Sequence, residues 1–312
     1  MRIKILSLFL VFAIIFSALT GCISNTSTPN GITFTDALNR EVRIDNPKRV
    51  CALIGSFAEV WMLAGGELVG APEDAWSDFN LNIPNGINIG GAHSPSLELI
   101  LSASPDFVIA SASTASNVSM KDTLTQAGIT VAYFDVDNFE DYLNMLDILT
   151  DITGRKDLYT KNGLAIKAQI DAIKANIQNS SLTDRERTVL LLRAHSGSVK
   201  AKGSTGTILG EMLCDIGCIN IADSNTSLLE SLSIESIIIQ NPYRIFVVTM
   251  GDDTQKAIDN LNSMINENPG WRSLDAITQG RLHIMDRRLF NIKPNVRWAQ
   301  AYEKLSEIFL SR

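Results

Sequence analysis

Two stretches of the sequence repeat one another: SPSLELILSASPDFVI at residues 94–109 and SLSIESIIIQNPYRIF at residues 231–246. Four residues recur at a single offset of 137 positions: Ser94, Ser96, Glu98 and Pro105, at Ser231, Ser233, Glu235 and Pro242. Each stretch predicts a helix, a proline that ends it and a buried strand, because proline lacks an amide hydrogen and clashes with the preceding turn. Helix–proline–strand units are common in α/β proteins, but the matching serines and glutamate favour a duplicated α/β half.

Strand and helix patterns alternate on both sides of this repeat. Short β-rich apolar runs predict strands at Val50–Ile54, Phe107–Ala110, Val131–Phe134, Thr188–Leu192, Ile245–Thr249 and Leu282–Met285. Helical patterns separate these runs, which is typical of an α/β fold with a mainly parallel sheet. Between the halves, residues 157–178 carry apolar residues largely at helical spacing and predict a helix about 33 Å long. The sequence therefore predicts two α/β lobes joined by a stiff connector.

The amino terminus has the pattern of a secretory signal. Arg2 and Lys4 precede an apolar run, Ile5–Phe16, that is shorter than the roughly 20 residues needed to span a bilayer. The following sequence, LTGC at residues 19–22, resembles a bacterial lipobox, which implies cleavage before Cys22 and diacylation of its sulfur. The alternative is an ordinary signal peptide that contains a cysteine, or an uncleaved anchor. We expect a protein attached by lipid to the extracytoplasmic face of the cell membrane.

The expected domain organisation follows from these patterns. It comprises a signal peptide at residues 1–21, a lipid-anchored tether at 22–30, an N-terminal α/β lobe at 31–154, a connecting helix at 155–180 and a C-terminal α/β lobe at 181–312. Without Arg2 and Lys4, 25 of the 27 basic residues remain against 34 acidic residues, a net charge of −9. This acidic balance argues against nucleic acid as a partner. Besides Cys22, an odd number of three cysteines remains, so a disulfide framework is not indicated.

Several short motifs, in their order and spacing, resemble the binding proteins of cobalamin, haem and ferric-siderophore ABC importers, a class III periplasmic-binding-protein-like family. The motifs are ITFTDALNREV at 32–42, PKRV at 47–50, AE at 58–59, LVG at 68–70, SLE at 96–98, PDFVI at 105–109, GTILGEMLCDIG at 206–217, and Trp271 with AITQGR at 276–281. The match covers nearly all of residues 31–312. The resemblance implies two Rossmann-like lobes joined by one long rigid helix, with the ligand in a cleft between the lobes. It also implies a monomer that works with an ABC permease dimer and its ATPase.

The same resemblance implies that one surface glutamate of each lobe docks on arginines of the permease, and Glu98 and Glu235 match those positions. Equivalent glutamates on repeated helices would present two carboxylates on one side of a pseudo-symmetric body, and a dimeric permease offers two equivalent sites. The alternative is that both are ordinary helix-surface charges, each contributing under about 1 kcal/mol.

Candidate ligand contacts follow the ends of the predicted strands, because loops at the carboxyl ends of parallel strands line the crevice of an open α/β sheet. The candidates are Phe57, Trp76, His93, Arg193, His195, Lys202, Arg287, Arg288, Phe290 and Lys293. Trp76 can equally pack against its own loop as a rim aromatic. Arg193 ends an apolar strand run, where a charged group is costly unless it is exposed or partnered, so we expect it to face the cleft.

The sequence offers little support for catalysis. It contains no Gly-x-Ser-x-Gly, Gly-x-Gly-x-x-Gly or His-Glu-x-x-His motif, so we expect neither an enzyme nor a bound cofactor. A binding protein for bare zinc or manganese is a closer alternative, since His93 and His195 both fall in predicted cleft loops. Such sites usually need several nitrogen or carboxylate ligands, and the chain has three histidines in all. The bare-metal function is therefore the second candidate, and no metal ligand is assigned.

The charge of the predicted cleft favours an anionic iron chelate. Five of the candidate residues from the second half are cationic, within a chain of net charge −9: Arg193, Lys202, Arg287, Arg288 and Lys293. A cleft lined by one sign of charge attracts the opposite sign, and guanidinium pairs well with carboxylate or catecholate oxygens. We therefore expect a ferric siderophore first. Haem follows, because His93 or His195 could bind its iron axially, and cobalamin is the third candidate.

Overall fold

The computed structural model describes residues 31–251 and 253–311. The predicted signal peptide, tether and Cys22 lie outside these residues. The described residues from Ile32 onward group as one compact unit. No helix of the described part of the chain is long and apolar enough to cross a membrane.

Two five-stranded sheets form the framework of the two lobes. All strand pairs of the five-stranded sheet in the N-terminal lobe are parallel and its order is β5-β4-β3-β8-β9, while β1-β2 and β6-β7 form separate antiparallel pairs. In the C-terminal lobe the order is β11-β10-β13-β14, with β12 beside β10, and only β11 is antiparallel to its neighbour. The strands are β1 Ile32–Thr35, β2 Glu41–Ile44, β3 Val50–Ala52, β4 Leu68–Ala71, β5 Ile87–Asn88, β6 Gly90–Gly91, β7 Ser94–Pro95, β8 Phe107–Ser111, β9 Thr130–Phe134, β10 Thr188–His195, β11 Ser198–Lys202, β12 Ile219–Asn220, β13 Arg244–Thr249 and β14 Leu282–Ile284. The predicted α/β class with mainly parallel sheets is confirmed.

Helices connect the strands and cover the sheets. They are α1 Gly55–Leu63, α2 Asp74–Ser77, α3 Leu97–Ser102, α4 Ala115–Ser119, α5 Lys121–Gln126, α6 Phe139–Thr153, α7 Lys156–Tyr159, α8 Ala165–Gln178, α9 Asp184–Arg187, α10 Ile208–Asp215, α11 Ile221–Ser224, α12 Ser227–Glu230, α13 Ile234–Gln240, α14 Thr254–Glu267, α15 Pro269–Ser273, α16 Asp275–Thr278, α17 Arg287–Phe290 and α18 Trp298–Leu310. A 3-10 turn at Asn295–Arg297 precedes the last helix.

The internal repeat has the same local structure in both lobes. Ser96 and Ser233 are the N-cap residues of α3 and α13, and each hydroxyl accepts the amide hydrogen of the residue three positions later. Such a cap satisfies one of the amides that the first helical turn leaves free. The following strands, β8 and β13, begin at Phe107 and Arg244, again 137 positions apart. The repeat therefore describes two copies of one structural unit.

The connector between the lobes is helical from Lys156 to Gln178, but it is interrupted. A π-helical turn at Thr160–Leu164 separates α7 from α8, and Gly163 of this turn lies against Leu143 and Leu146 of α6. Ile166, Ile170 and Ile177 of α8 are buried in the largest core cluster, to which both sheets contribute. The second helix of the connector, α8, thus packs into a core that both lobes share, whereas α7 has no buried residue.

Candidate functional site

The hairpin of β10 and β11 gathers cationic side chains at the carboxyl end of the C-terminal sheet. Arg193 lies directly opposite Lys200, and Lys202 lies opposite Leu191. Directly paired residues of antiparallel strands project to one face, as do residues two apart on a strand. Arg193, His195, Lys200 and Lys202 therefore share one face of the sheet. We call these four residues the cationic hairpin.

The charge of the cationic hairpin is not neutralised within the described residues. Neither Arg193, Lys200 nor Lys202 forms an ion pair there, and the buried Nε of Arg193 lacks a hydrogen-bond partner. Burial lowers the pKa of Arg193, and burial together with Arg193 and Lys200 lowers the pKa of Lys202. The pKa of His195 is lowered by burial and then by the three cations beside it. Such a cluster is suited to bind an anion, which would relieve the mutual repulsion.

Carboxylates dominate the strand ends of the N-terminal lobe. Asp74, after β4, accepts the Gly55 amide hydrogen through Oδ2 at 3.0 Å, while its buried Oδ1 lacks a partner. Burial raises the pKa of Asp74, and the nearby exposed His93 opposes this effect. Asp137, after β9, also has a raised pKa, first because of burial and then because of Asp135. The two walls of the predicted cleft therefore differ in charge.

A third group of charges joins the two lobes. Glu59 of α1 is 6% exposed and accepts hydrogen bonds from Arg288 at 2.9 Å, Asn295 at 2.7 Å and Arg297 at 2.7 Å, all from the C-terminal lobe. Arg287 pairs with Asp78 at 3.0 Å. We call these contacts the interlobe clamp. The clamp occupies Arg287 and Arg288 with carboxylates of the N-terminal lobe, so in this conformation neither guanidinium is unpaired like Arg193.

The remaining predicted contacts differ in their access to solvent. Phe57 and Phe290 are fully buried in the core and present no surface to a cleft, whereas Trp76 is half-buried and packs beside the core. The Lys293 ammonium lies 5.9 Å from the centre of the Phe57 ring. Burial lowers the pKa of Lys293, and Asp137 and Asp135 of the other lobe oppose this effect. Lys293 thus belongs to the boundary between the lobes, beside the clamp.

Sequence patterns missed several of these residues and placed others differently. His195 lies in β10 and Lys202 in β11, not in loops, and Lys200 was not identified at all. The alternation in SVKAK at 198–202, after the turn residues Ser196 and Gly197, is the pattern that would have predicted a strand with both lysines on one face. Glu59 and Asn295 had no such pattern, because they meet 236 positions apart in sequence.

A cavity of about 290 Å³ lies elsewhere, beside the connecting helix. Its walls come from α6, α8, α10 and α18 and include none of the predicted ligand contacts. Both of its lysines are already paired, Lys167 with Glu140 at 3.0 Å and Lys174 with Asp215. Within residues 31–251 and 253–311, no group of three or more histidine, cysteine or acidic side chains is arranged to hold a metal ion. We therefore take the cationic hairpin as the candidate site.

Glu98 and Glu235 occupy equivalent positions in the first turns of α3 and α13. Both residues are exposed, and neither forms an ion pair with a described residue. The only side-chain contact of Glu235 within hydrogen-bond distance, among described residues, is with its cap Ser233 at 3.1 Å. Both carboxylates are therefore accessible to a partner.

Known proteins resemble the chain along most of its length. Bacillus subtilis YhfQ, assigned to the ABC transporter substrate-binding lipoproteins, is 22% identical over 315 residues, which cover 95% of each chain. Staphylococcus aureus SirA complexed with staphyloferrin B is similar in structure, with a TM-score of 0.67 and 18% identity, over 88% of this chain and 96% of SirA. Staphylococcus aureus IsdE complexed with haem has a TM-score of 0.68 and 16% identity, over 84% of this chain and 99% of IsdE. These likenesses show a common two-lobed fold.

The family is decided by a match that covers well over half of the sequence. Residues 50–289 match the periplasmic binding protein family, and this range includes the repeat, the connecting helix, the cationic hairpin and Glu59 with its partner Arg288. The family resemblance seen in the sequence motifs is thereby confirmed. Because the match covers more than three quarters of the sequence, the chain belongs to the periplasmic binding protein family.

Proposed function

We propose that this protein is an extracytoplasmic lipoprotein that binds an iron complex and delivers it to the permease of an ABC importer. The ligand we favour is a ferric siderophore, ahead of haem and cobalamin. The family and the resemblance to an ABC transporter substrate-binding lipoprotein support the transport function. SirA and IsdE, which share the fold, are complexed with staphyloferrin B and with haem, and the siderophore binding protein BauB is similar in structure, which supports the class of ligand.

The observation that carries the choice of ligand is the unneutralised cationic hairpin. A ferric chelate that presents carboxylate or catecholate oxygens can accept charge-assisted hydrogen bonds from Arg193, Lys200 and Lys202. Arginine suits such oxygens because its planar guanidinium donates two parallel hydrogen bonds. The half-buried Trp76 can cover an organic face of the chelate. A bare divalent cation would instead be repelled by this cluster.

The experiment that tests the ligand is a titration of the mature protein followed by tryptophan fluorescence. The panel comprises ferric citrate, ferric catecholate and hydroxamate chelates, haem, cobalamin, and free Zn²⁺ and Mn²⁺. We expect the tightest binding for a ferric chelate that carries negative charge. Tight binding of a free divalent ion without a response to any chelate would show that the alternative, a bare-metal binding protein, is correct. A haem response that is lost in His195→Ala would move haem to first place.

The proposed organisation of the chain assigns residues 1–21 to a cleaved signal and Cys22 to the lipid anchor. Two acyl chains hold a protein stably on a bilayer, whereas one gives only marginal binding. Residues 22–30 would then tether the two lobes and their connecting helix to the membrane. In Cys22→Ala we expect the signal-cleaved protein to leave the membrane fraction for the soluble fraction. A processed Cys22→Ala protein that stays with membranes would contradict the lipid anchor.

Delivery is proposed to use Glu98 and Glu235 as contacts with cations of the permease dimer. Glu98→Gln/Glu235→Gln should stop uptake of the labelled ferric chelate, because each change removes a charge and preserves the shape of the side chain. Affinity of the isolated protein for the chelate should stay within a few-fold. Loss of ligand binding itself would place these residues in the ligand site or in the fold, and would contradict their role in docking.

A further inference from the structure

Each proposed docking glutamate is accompanied by an exposed apolar side chain at an equivalent position. Leu101 follows Glu98 by three residues, and Ile238 follows Glu235 by three residues, so each pair lies on one face of its helix. Leu101 is 38% exposed and Ile238 is 42% exposed. Leu101 and Ile238 are also 137 positions apart, so the repeat places both a carboxylate and an apolar side chain on each lobe.

Exposed apolar side chains are concentrated on these two short helices. Within residues 31–251 and 253–311, nine large hydrophobic side chains are exposed, and four of them belong to α3 or α13: Leu99, Leu101, Ile238 and Ile239. The other five are spread over the rest of the described chain. Single exposed apolar residues are ordinary, but their accumulation beside unpaired charges marks a surface that contacts a partner.

The two helices cover corresponding faces of the two sheets. Ile100 anchors α3 in a core cluster formed only by the N-terminal lobe, and Ile237 anchors α13 in a cluster formed only by the C-terminal lobe. The connecting helix instead packs into the third cluster, which both lobes share. Both exposed patches therefore lie on the sheet faces opposite the connector, related by the internal repeat. A pair of equivalent patches is complementary to a partner with two equivalent surfaces.

We propose that Glu98 with Leu101, and Glu235 with Ile238, form two equivalent docking patches for a permease dimer, in which the apolar side chains enter apolar depressions beside the permease cations. This proposal rests on the proposed delivery function and adds the apolar half of the contact. The carboxylates steer the encounter, while burial of the apolar side chains slows dissociation. The patches differ in their remaining exposed apolar residue. Ile239 is 84% exposed and its counterpart in the N-terminal lobe is Ser102, whereas Leu99 is 39% exposed and its counterpart in the C-terminal lobe is Ser236. The C-terminal patch therefore exposes more apolar surface.

The test measures association and dissociation rates separately. The lipoprotein is bound to the permease–ATPase complex that supports its uptake, held in nanodiscs, and followed by surface-based kinetics at several salt concentrations. In Leu101→Ser/Ile238→Ser we expect dissociation to be at least tenfold faster, with an unchanged association rate. Ile239→Ser alone should accelerate dissociation more than Leu99→Ser, which removes a side chain that is 39% exposed. In Glu98→Gln/Glu235→Gln we expect slower association and a weaker dependence on salt.

The matched control is Leu164→Ser, which removes a side chain that is 42% exposed on the connecting helix. This variant should dock like the unmodified protein. Because Ile239 is almost entirely exposed, its substitution cannot disturb the core, and chelate affinity verifies the fold of every variant. Unchanged dissociation of the apolar variants, while the glutamate variant fails to dock, would contradict this proposal and leave the delivery function intact. Normal docking of the glutamate variant as well would contradict both.

Discussion

The cations of the interlobe clamp and those of the cationic hairpin differ in whether a carboxylate accompanies them. In the clamp, Glu59 binds Arg288 and Arg297 at 2.9 and 2.7 Å while remaining 6% exposed. In the hairpin, Arg193 is half-buried without any anionic partner among the described residues. Burial penalises both groups, but only the clamp offsets the penalty within the protein itself. Arginines of one predicted cleft thus differ: those of the clamp hold contacts between the lobes, whereas Arg193 is the one we propose to receive an external anion.

This difference separates the predicted cationic contacts into residues that are paired within the protein and residues that are not. Arg287 and Arg288 contribute to the cationic excess of the second half, yet both are engaged by the N-terminal lobe. Arg288 also lies 4.0 Å from the centre of the Phe79 ring, a further contact across the lobes. The cationic surface offered to a ligand is therefore concentrated on the hairpin of β10 and β11.

Removal of Glu59 should have the largest effect on stability. In Glu59→Ala, two arginines and Asn295 lose a buried acceptor, and such losses typically cost about 3–5 kcal/mol of unfolding free energy. The measurement is urea unfolding followed by circular dichroism. Glu98→Ala is the control, since this exposed glutamate has no ion-pair partner among described residues, and its effect should stay within about 0.5 kcal/mol. Equal effects of the two changes would show that the clamp does not hold the lobes together.

Removal of Arg193 should weaken ligand binding without lowering the stability of the fold. In Arg193→Met we expect chelate affinity to fall about 10- to 100-fold, which corresponds to about 1.4–2.8 kcal/mol. The unfolding free energy should not decrease, because the substitution removes an unpaired, partly buried charge. Calorimetric titration and urea unfolding give the two quantities. Arg185→Met, in which an exposed arginine loses its contact with Asp275, is the matched control and should leave affinity unchanged. If Arg193→Met unfolds at a lower urea concentration but keeps its affinity for the chelate, the assignment of Arg193 to the ligand site is contradicted.

The exposed ion pair of the clamp, Asp78 with Arg287, should contribute less to the unfolding free energy than the buried contacts of Glu59. Asp78 and Arg287 are each about 30% exposed, so water screens their attraction. In Asp78→Asn we expect the unfolding free energy to fall by about 0.2–1 kcal/mol, less at high salt. If the loss matched that of Glu59→Ala, the distinction between buried centre and exposed rim would be wrong.

Asp74 gives a pH-dependent test of the N-terminal wall. Its pKa is raised, mainly by burial, so the fold favours the protonated form, and stability from this group is lost as the pH rises through the folded pKa. Asn at this position resembles the protonated acid and can still accept the Gly55 amide hydrogen. The unfolding free energy of Asp74→Asn at pH 7 should therefore be higher than that of the unmodified protein, and the gain should vanish below about pH 4, where the carboxyl group is protonated in the folded and unfolded states. A gain that is the same at both pH values would point to a cause other than charge burial.

The two lobes and their internal repeat could be read from the sequence because their signals are local. The proline after each repeated helix, the serine caps and the apolar runs act on neighbouring residues, so SPSLELILSASPDFVI predicts its own helix and strand. The observed β8, β9 and β13 match the predicted strands to within one residue at each end. The sequence predicted one continuous connecting helix, whereas the observed connector contains a π-helical turn, whose Gly163 packs on α6 through contacts distant in sequence.

The sequence by itself determined the α/β class, the duplication and the residue types at the strand ends. Only the tertiary structure decided which of those residues are unpaired. Phe57 and Phe290 lie at strand ends like Trp76, yet the core covers them. Arg288 precedes Phe290 by two residues, and its partner Glu59 lies 229 positions away. Ion pairs between residues so far apart in sequence depend on how the two lobes meet, which no local sequence pattern encodes. The hairpin cations remain unpaired because no described carboxylate lies within ion-pairing distance of them.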